Sequence, residues 1–252
     1  EKYKENTEVE YGLDITKKTE VISICYSTWF TRILGKDTKN PNPPNITEIL
    51  AGNQEWGGLY QFHYWAKPAL GYYKSHDKDV IRTHMTQLAD AGVDFIIIDN
   101  TNASAGWLET NDWELFITLP CEAILDTILE MRSEGLKTPY VVFWSGVKPE
   151  FGWTVVNETY EQFLSQEKWK DCFVYWEGKP FMITTDLAEN APEHLTLRKM
   201  WGLNAQPEEG VWSFLDIKNM PNPDADGYTE QMCVCTAAQE TYMSLPTAHG
   251  RN

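Results

Sequence analysis

The segment "SHDKDVIRTHMTQLADAGVDFIIIDN", residues 75–100, constrains the fold more than any other part of the chain. Its first half has the apolar spacing of a helix, with Asp77 placed to cap the first turn and Gly92 placed to end it. The helical stripe is Val80, Ile81, His84, Met85 and Leu88. The strand "VDFIII" follows directly, and its apolar residues hardly alternate with polar ones. Such a strand is buried on both faces, as in a parallel sheet covered by helices.

The same order of helix and strand continues along the chain. A helix is predicted from about Pro120 to Glu134, another after Asn157, and a short one from about Pro192 to Trp201. The predicted strands are, in order, "VISICYSTWF", "VDFIII", "PYVVFW", "KPFMITT" (paired locally with "CFVYWEG"), "EGVWSFLD" and "QMCVCTAAQ". Strands that alternate with helices predict an α/β fold with a parallel sheet.

Two architectures satisfy this order. A doubly wound nucleotide-binding fold carries a G-x-G-x-x-G turn after an early strand, and this sequence has none. A (β/α)8 TIM-type barrel instead collects polar residues at the C-terminal ends of its strands. Such residues are Asp99-Asn100, Trp144-Ser145, Thr185-Asp186, Asp216 and Gln239-Glu240. We therefore predict a barrel in one domain, residues 1–252, with residues 1–20 as an N-terminal extension. About six strands precede residue 252, so we expect the barrel to be incomplete here.

Charge and aromatic content limit the partners. The chain has 37 acidic and 21 basic side chains, a formal net charge of -16, which disfavours nucleic acid and anionic membranes. No apolar run approaches the roughly 18 residues of a membrane span. The 11 Trp, 12 Tyr and 10 Phe residues fall largely in loop-like segments, where their rings either stack on sugars or pin the loops to the body of the protein. We expect a carbohydrate partner, and the sequence leaves the oligomeric state open.

No cofactor or metal is predicted. The five cysteines are odd in number and irregularly spaced, and the five histidines form no H-E-x-x-H pattern. The polar N-terminal stretch "EKYKENTEVEYG" suits a mature chain from which a signal peptide was removed. We therefore expect a secreted, periplasmic or cell-surface location.

Asp99 is the best-placed candidate for chemistry, because it ends a buried strand where a barrel has its active site. The alternative is an aspartate that caps or braces a loop. Cleavage of a glycosidic bond typically uses two carboxylates. We predict Asp99, Asp216 and Glu240 as catalytic residues, with Asp186 as a weaker candidate. Predicted substrate-binding residues near the strand ends and in the long loops are His63, Trp65, Asn100, Trp144, Gln239 and His249.

A family resemblance points the same way. "GYYKSHDKDVIRTHMTQLADAGVDFIIIDNTN", "YWEGKPFMI" and "TAAQETYMSLPTAHGRN" resemble segments of bacterial, often secreted, barrel proteins grouped with glycoside hydrolase families 99 and 71. The resemblance covers roughly residues 72–252. It implies a (β/α)8 barrel that hydrolyses a polysaccharide or glycan. It also implies that important acids, in an Asn-Glu-Trp-like passage on a late strand, come after residue 252.

Three functions are compatible with these features. The first is a glycoside hydrolase with a carboxylate pair at the C-terminal rim of the barrel. The second is a glycan-binding barrel without catalysis, which explains the aromatic residues equally well. The third is a hydrolase or lyase of another bond type, for which the sequence offers neither a G-x-S-x-G elbow nor a metal motif.

Overall fold

The computed structural model describes residues 10–30, 44–56, 64, 66–104, 113–201, 208–214 and 223–234. Its strands are Leu13–Asp14 (β1), Ser23–Tyr26 (β2), Phe95–Asn100 (β3), Tyr140–Ser145 (β4), Val174–Trp176 (β5), Lys179–Thr184 (β6), Thr196–Trp201 (β7) and Trp212–Ser213 (β8). The α-helices are Ile46–Leu50 (α1), Lys78–Asp90 (α2), Leu119–Ser133 (α3) and Thr154–Thr159 (α4). Short 3₁₀ helices span Thr101–Ser104 and Glu167–Cys172, and π-helical turns span Glu114–Thr118 and Tyr160–Leu164.

The strands form one eight-stranded, mainly parallel sheet. Six strands pair in parallel in the order of the chain, β2-β3-β4-β6-β7-β8. The other two lie at the start of β6: β5 pairs with β6 antiparallel, and β1 pairs with β5 in parallel. A doubly wound sheet would reverse its strand order, and this one does not. Mixed α/β architecture is therefore confirmed, while the described strands leave the sheet open between β2 and β8, so closure into a barrel stays a prediction.

The sheet separates two apolar layers. The helices pack on one face, where Ile96 and Ile98 of β3 and Val141 and Phe143 of β4 meet the apolar side chains of α2 and α3. The opposite face, which we call the inner face, carries Phe95, Ile97, Val142, Trp144, Phe181, Ile183, Met200 and Trp212. Successive residues of a strand point to opposite faces, so each strand contributes to both layers. This explains why β3 and β4 are apolar along nearly their whole length.

Local sequence sets the bounds of α2. The Asp77 carboxylate accepts hydrogen bonds from the backbone N–H groups of Asp79 and Val80, at 3.1 and 3.4 Å, which satisfies two donors that have no partner within the helix. Gly92 follows the last turn with a φ of 81°, a left-handed conformation that glycine adopts without strain. The predicted helix, its cap and its stop are confirmed.

The predicted helix near residues 192–201 is wrong, because Thr196–Trp201 is β7 and pairs in parallel with β6. The segment "TLRKMW" carries two consecutive cations, and each forms an ion pair with an acid outside the strand. Arg198 forms an ion pair with Glu230 at 2.6 Å. The Nζ of Lys199 lies 2.7 Å from Oε1 of Glu208 and 3.1 Å from Oδ1 of Asp186. Ion pairs with these acids allow a strand to carry two consecutive cations. A local sequence pattern does not reveal the pairs, because the acids lie outside the strand.

Three other boundaries differ from the prediction. The predicted helix after Asn157 begins earlier, at Thr154, so Asn157 lies within α4 and does not cap it. The predicted sixth strand, "QMCVCTAAQ", has no strand over residues 231–234, and its remaining residues lie outside the described part. The predicted N-terminal extension, residues 1–20, contributes β1 to the sheet.

Candidate active site

Asp99 and Trp144 lie side by side at the C-terminal ends of β3 and β4. The two residues are partners in the parallel ladder, and both side chains share the inner face with Ile97 and Val142. Asp99 is the one carboxylate in the six parallel strands that the structure describes. The C-terminal ends of parallel strands are where α/β sheets form their ligand sites.

The Asp99 carboxyl is held on one side only. Its Oδ1 accepts hydrogen bonds from the Thr101 backbone N–H at 3.0 Å and from the Thr101 hydroxyl at 2.7 Å. Its Oδ2 has no hydrogen-bond partner in the described part of the chain. Asp99 therefore does brace the following 3₁₀ turn, as the alternative reading of the sequence predicted, and it still keeps one oxygen for a ligand.

Burial raises the pKa of the Asp99 carboxyl above the ordinary value of an aspartate. The two hydrogen bonds from Thr101 lower the pKa, but they do not offset the loss of hydration. No charged side chain of the described residues contributes to this shift. A carboxyl that stays protonated to a higher pH is the form that donates a proton.

Three aromatic side chains, Trp144, Trp201 and Phe214, meet at this rim, and we call them the aromatic rim. The Trp144 ring lies edge-on to Phe214, with centroids 4.6 Å apart, and to Trp201, with centroids 6.4 Å apart. Only 2% of Trp144 is exposed, whereas 36% of Trp201 is. Trp144, predicted to bind substrate, is thus the buried support of the cluster, and Trp201 presents the ring surface that solvent reaches.

Asn100 points away from Asp99. It belongs to the helix-facing layer and is 1% exposed. Its amide donates to the Thr159 hydroxyl at 3.0 Å and accepts from the Ser145 hydroxyl at 2.8 Å. Neighbouring residues of a strand face opposite sides, so Asp99 and Asn100 do not share one site. The predicted substrate-binding role of Asn100 has no support in this placement.

The other predicted site residues are not brought together with Asp99. Asp216, Glu240, His63, Trp65, Gln239 and His249 lie outside the described residues. Asp186 follows β6, but it is exposed and forms an ion pair with Lys199 at 3.1 Å, which lowers the pKa of its carboxyl. The ion pair leaves Asp186 poorly suited to donate a proton at neutral pH.

Sequence reasoning missed Trp201 and Phe214. The sequence pattern predicts a helix that ends near Trp201 and a strand "EGVWSFLD" that contains Phe214, and it indicates no site role for either. The signal available was an aromatic residue at the end of each segment, with Trp201 as the last residue of β7 and Phe214 directly after β8. That signal becomes usable only once β7 is known to be a strand.

The described residues contain no group of three or more His, Cys, Asp or Glu side chains arranged to hold a metal ion. Among the described helices, none has both the length and the apolar character that crossing a membrane requires.

Comparison with known proteins gives two structural likenesses. No protein-family model and no curated protein matches the chain. A structure of the GH99 endo-alpha-mannosidase from Bacteroides thetaiotaomicron is 18% identical, has a TM-score of 0.34, and is matched over 48% of this chain and 30% of its own. A second, of the GH99 endo-alpha-mannosidase from the same organism in complex with bis-tris-propane, is 13% identical with a TM-score of 0.41, over 71% of this chain and 52% of its own.

The chain therefore spans about half the length of these structures, or less. Both belong to one of the two families that the sequence resemblance named. At these TM-scores the likeness assigns no residue role and no activity to this chain.

Replacing Asp99 with Asn is expected to stabilise the fold at neutral pH. Because the folded-state pKa is raised, the wild type loses stability as the pH rises from the ordinary aspartate pKa through the folded-state pKa of Asp99. Asn keeps an oxygen for the Thr101 bonds and has no proton to lose. The gain in free energy of unfolding, measured by urea titration, should therefore be larger at about pH 7 than at about pH 4.

Asp90→Asn is the matched control, since Asp90 is exposed at the last residue of α2. Its effect should be small at both pH values. An effect of Asp99→Asn that is equal at both pH values would show that burial does not raise the pKa of Asp99.

Proposed function

We propose that the chain is a glycoside hydrolase in which Asp99 acts at the C-terminal rim of the sheet. The observation that carries this proposal is the state of the Asp99 carboxyl. It ends a buried strand beside an aromatic rim, its pKa is raised by burial, and one of its oxygens accepts no hydrogen bond from the residues that the structure describes. The sequence resemblance to family 99 and family 71 hydrolases supports the same class of reaction.

The proposed role of Asp99 is that of general acid. Cleavage of a glycosidic bond needs a carboxylic acid that protonates the leaving oxygen, and a raised pKa widens the pH range in which that acid stays protonated. The reaction also needs a second carboxylate, as nucleophile or as base on water. Asp216 and Glu240 are our candidates, because both follow predicted strand ends.

The proposed substrate is a neutral or lightly charged glycan. An acidic chain repels polyanionic polymers, and its formal net charge is -16. The exposed ring of Trp201 offers a flat apolar face for the C–H groups of a sugar, while Asp99 offers a hydrogen-bond acceptor for a hydroxyl group. A secreted, periplasmic or cell-surface location agrees with polysaccharide degradation and is part of this proposal.

The test is a screen of the full-length protein against plant, fungal and host glycans, with release of reducing ends as the readout. We expect release from at least one neutral glycan. Absence of release from every glycan would contradict the proposed hydrolysis.

The alternative is a glycan-binding protein without catalysis. One observation favours it: Asp99 is the one carboxylate in the six described strands β2-β3-β4-β6-β7-β8, so those strands alone do not supply a catalytic pair. Affinity electrophoresis in gels that contain the same glycans separates the two functions. Retardation without release of reducing ends would support binding alone.

Trp201→Ala is expected to weaken glycan binding about tenfold, because a stacked aromatic ring contributes on the order of 1–2 kcal/mol to binding. Trp201→Phe should lose less, since it keeps an aromatic face. Both are measured by isothermal titration calorimetry with oligosaccharides of the responsive glycan.

Tyr228→Ala is the matched control, since Tyr228 is an exposed ring next to the start of β8, at the opposite end of that strand from Phe214. Its binding should equal that of the wild type. Equal affinity of the wild type and Trp201→Ala would exclude Trp201 from the site.

A further inference from the structure

Both hydrogen bonds that the Asp99 carboxyl accepts from the described part of the chain come from a single residue. Both the backbone N–H and the hydroxyl of Thr101 donate to the same oxygen, Oδ1. The two donors are fixed in space, because the N–H starts the 3₁₀ helix Thr101–Ser104 and because the β-branched side chain of threonine has restricted rotation. Two fixed donors on one oxygen define the plane and the rotation of the carboxyl group.

This arrangement makes the two oxygens of Asp99 chemically different. An oxygen that accepts two hydrogen bonds has its lone pairs occupied and is the less basic of the two. When Asp99 is protonated, the proton therefore resides on Oδ2, which has no partner in the described part of the chain. The ladder partner of Asp99 on β4 is Trp144, and both side chains lie on the inner face.

We propose that Thr101 is a positioning residue that fixes the rotation of the Asp99 carboxyl and assigns its transferable proton to Oδ2. The transfer of this proton to a substrate rests on the proposed hydrolase function, whereas the fixed rotation of the carboxyl rests on the hydrogen bonds alone. In the transfer, the Oδ2–H bond breaks and its electron pair stays on the carboxylate. The proton forms a new bond to the leaving glycosidic oxygen, and the two Thr101 donors stabilise the carboxylate that results.

Among the described side chains, Thr101 is the one that lowers the pKa of the Asp99 carboxyl. Burial is the larger influence on the pKa of Asp99, and the hydrogen bonds from Thr101 are the one opposing influence. The neighbouring β4 faces Asp99 with the uncharged Trp144. No ionisable group of the described residues, on β3 or on the elements packed against it, shifts this pKa.

The experiment compares Thr101→Val, which removes the hydroxyl and keeps the branched shape, with Thr101→Ser, which keeps the hydroxyl. Aspartate labelled with ¹³C at its carboxyl is titrated by NMR in the full chain, and the signal missing from Asp99→Asn identifies Asp99. Removing a donor to the ionised form raises a pKa. We expect a higher pKa of Asp99 in Thr101→Val than in the wild type, and wild-type titration in Thr101→Ser.

Kinetics give the second readout, with the glycan that the wild type hydrolyses. Thr101→Val should lower kcat about tenfold and change KM by less than about twofold, because a mispositioned acid impairs the transition state more than binding. The alkaline limb of its pH profile should move to higher pH, and Thr101→Ser should restore the wild-type profile. A purely structural role would move stability without moving this limb.

The outcomes separate the two proposals. Identical NMR titrations of Asp99 in the wild type and Thr101→Val would overturn the positioning role of Thr101. A shifted titration with an unshifted activity profile would support the fixing of the carboxyl and overturn the assignment of Asp99 as the acid. Shifts in both, reversed in Thr101→Ser, would support the whole proposal.

Discussion

Asp99→Asn is expected to lower hydrolysis of the responsive glycan by about 10²–10⁴-fold, the usual contribution of a general acid. Asparagine keeps the size of aspartate and an oxygen that accepts the two Thr101 bonds, so the rim keeps its shape. It has no proton of suitable acidity to give to the leaving oxygen. The loss should therefore fall on kcat, with glycan affinity nearly unchanged.

Two measurements accompany the kinetics. Circular dichroism and the urea midpoint establish that Asp99→Asn is folded, and Asp90→Asn shows the effect of removing an exposed carboxylate. Full turnover in Asp99→Asn would exclude Asp99 from proton transfer. Asp216 and Glu240 would then be the remaining candidates for the acid among the predicted catalytic residues.

Asn100→Ala is expected to destabilise the fold by about 2–4 kcal/mol, a large part of the roughly 5–15 kcal/mol that stabilises a typical domain. The substitution leaves the buried Ser145 hydroxyl without its acceptor and removes a partner of the Thr159 hydroxyl. It also leaves a small cavity between β3 and the helices. The shift of the urea midpoint, with an unchanged slope, measures the loss.

The control for Asn100→Ala is Asn157→Ala, because Asn157 is an exposed asparagine in α4. It should alter stability by no more than about 0.5 kcal/mol. The affinity of Asn100→Ala for the glycan, measured where the protein is folded, should match that of the wild type. Unchanged stability with weakened glycan binding would instead support the substrate-binding role that the sequence suggested.

Local patterns predicted the parts of the fold that depend on neighbours in the chain. The capped helix α2 and the strands β3, β4 and β6 each carry their own signal, in apolar spacing or in a run without alternation. The strand β7 carries no such signal, because it contains the consecutive cations Arg198 and Lys199, which form ion pairs with Glu230, Glu208 and Asp186. The short β8, by contrast, lies within the predicted strand "EGVWSFLD" and pairs with β7.

The candidate site likewise contains residues that the sequence predicted and residues that only the tertiary structure places there. The sequence placed Asp99 at the end of a buried strand, and the structure brings Trp144 beside it as a ladder partner. The exposed ring at this rim is Trp201. The sequence does not predict it as a site residue, because the sequence pattern predicts a helix where the structure has β7. The bracing of Asp99 by Thr101 follows from their separation of two residues, but only the tertiary structure shows that both hydrogen bonds reach the same oxygen, Oδ1.

The sequence by itself determined that an acid ends an apolar strand and that its neighbour must face the other way, since strand geometry alternates side chains regardless of context. It did not determine which of the two, Asp99 or Asn100, faces the helices. That choice depends on which face of β3 the apolar sides of α2 and α3 cover, and this is a property of packing between segments far apart in the chain. Tertiary structure thus directed the carboxyl of Asp99 to the inner rim and the amide of Asn100 into the core.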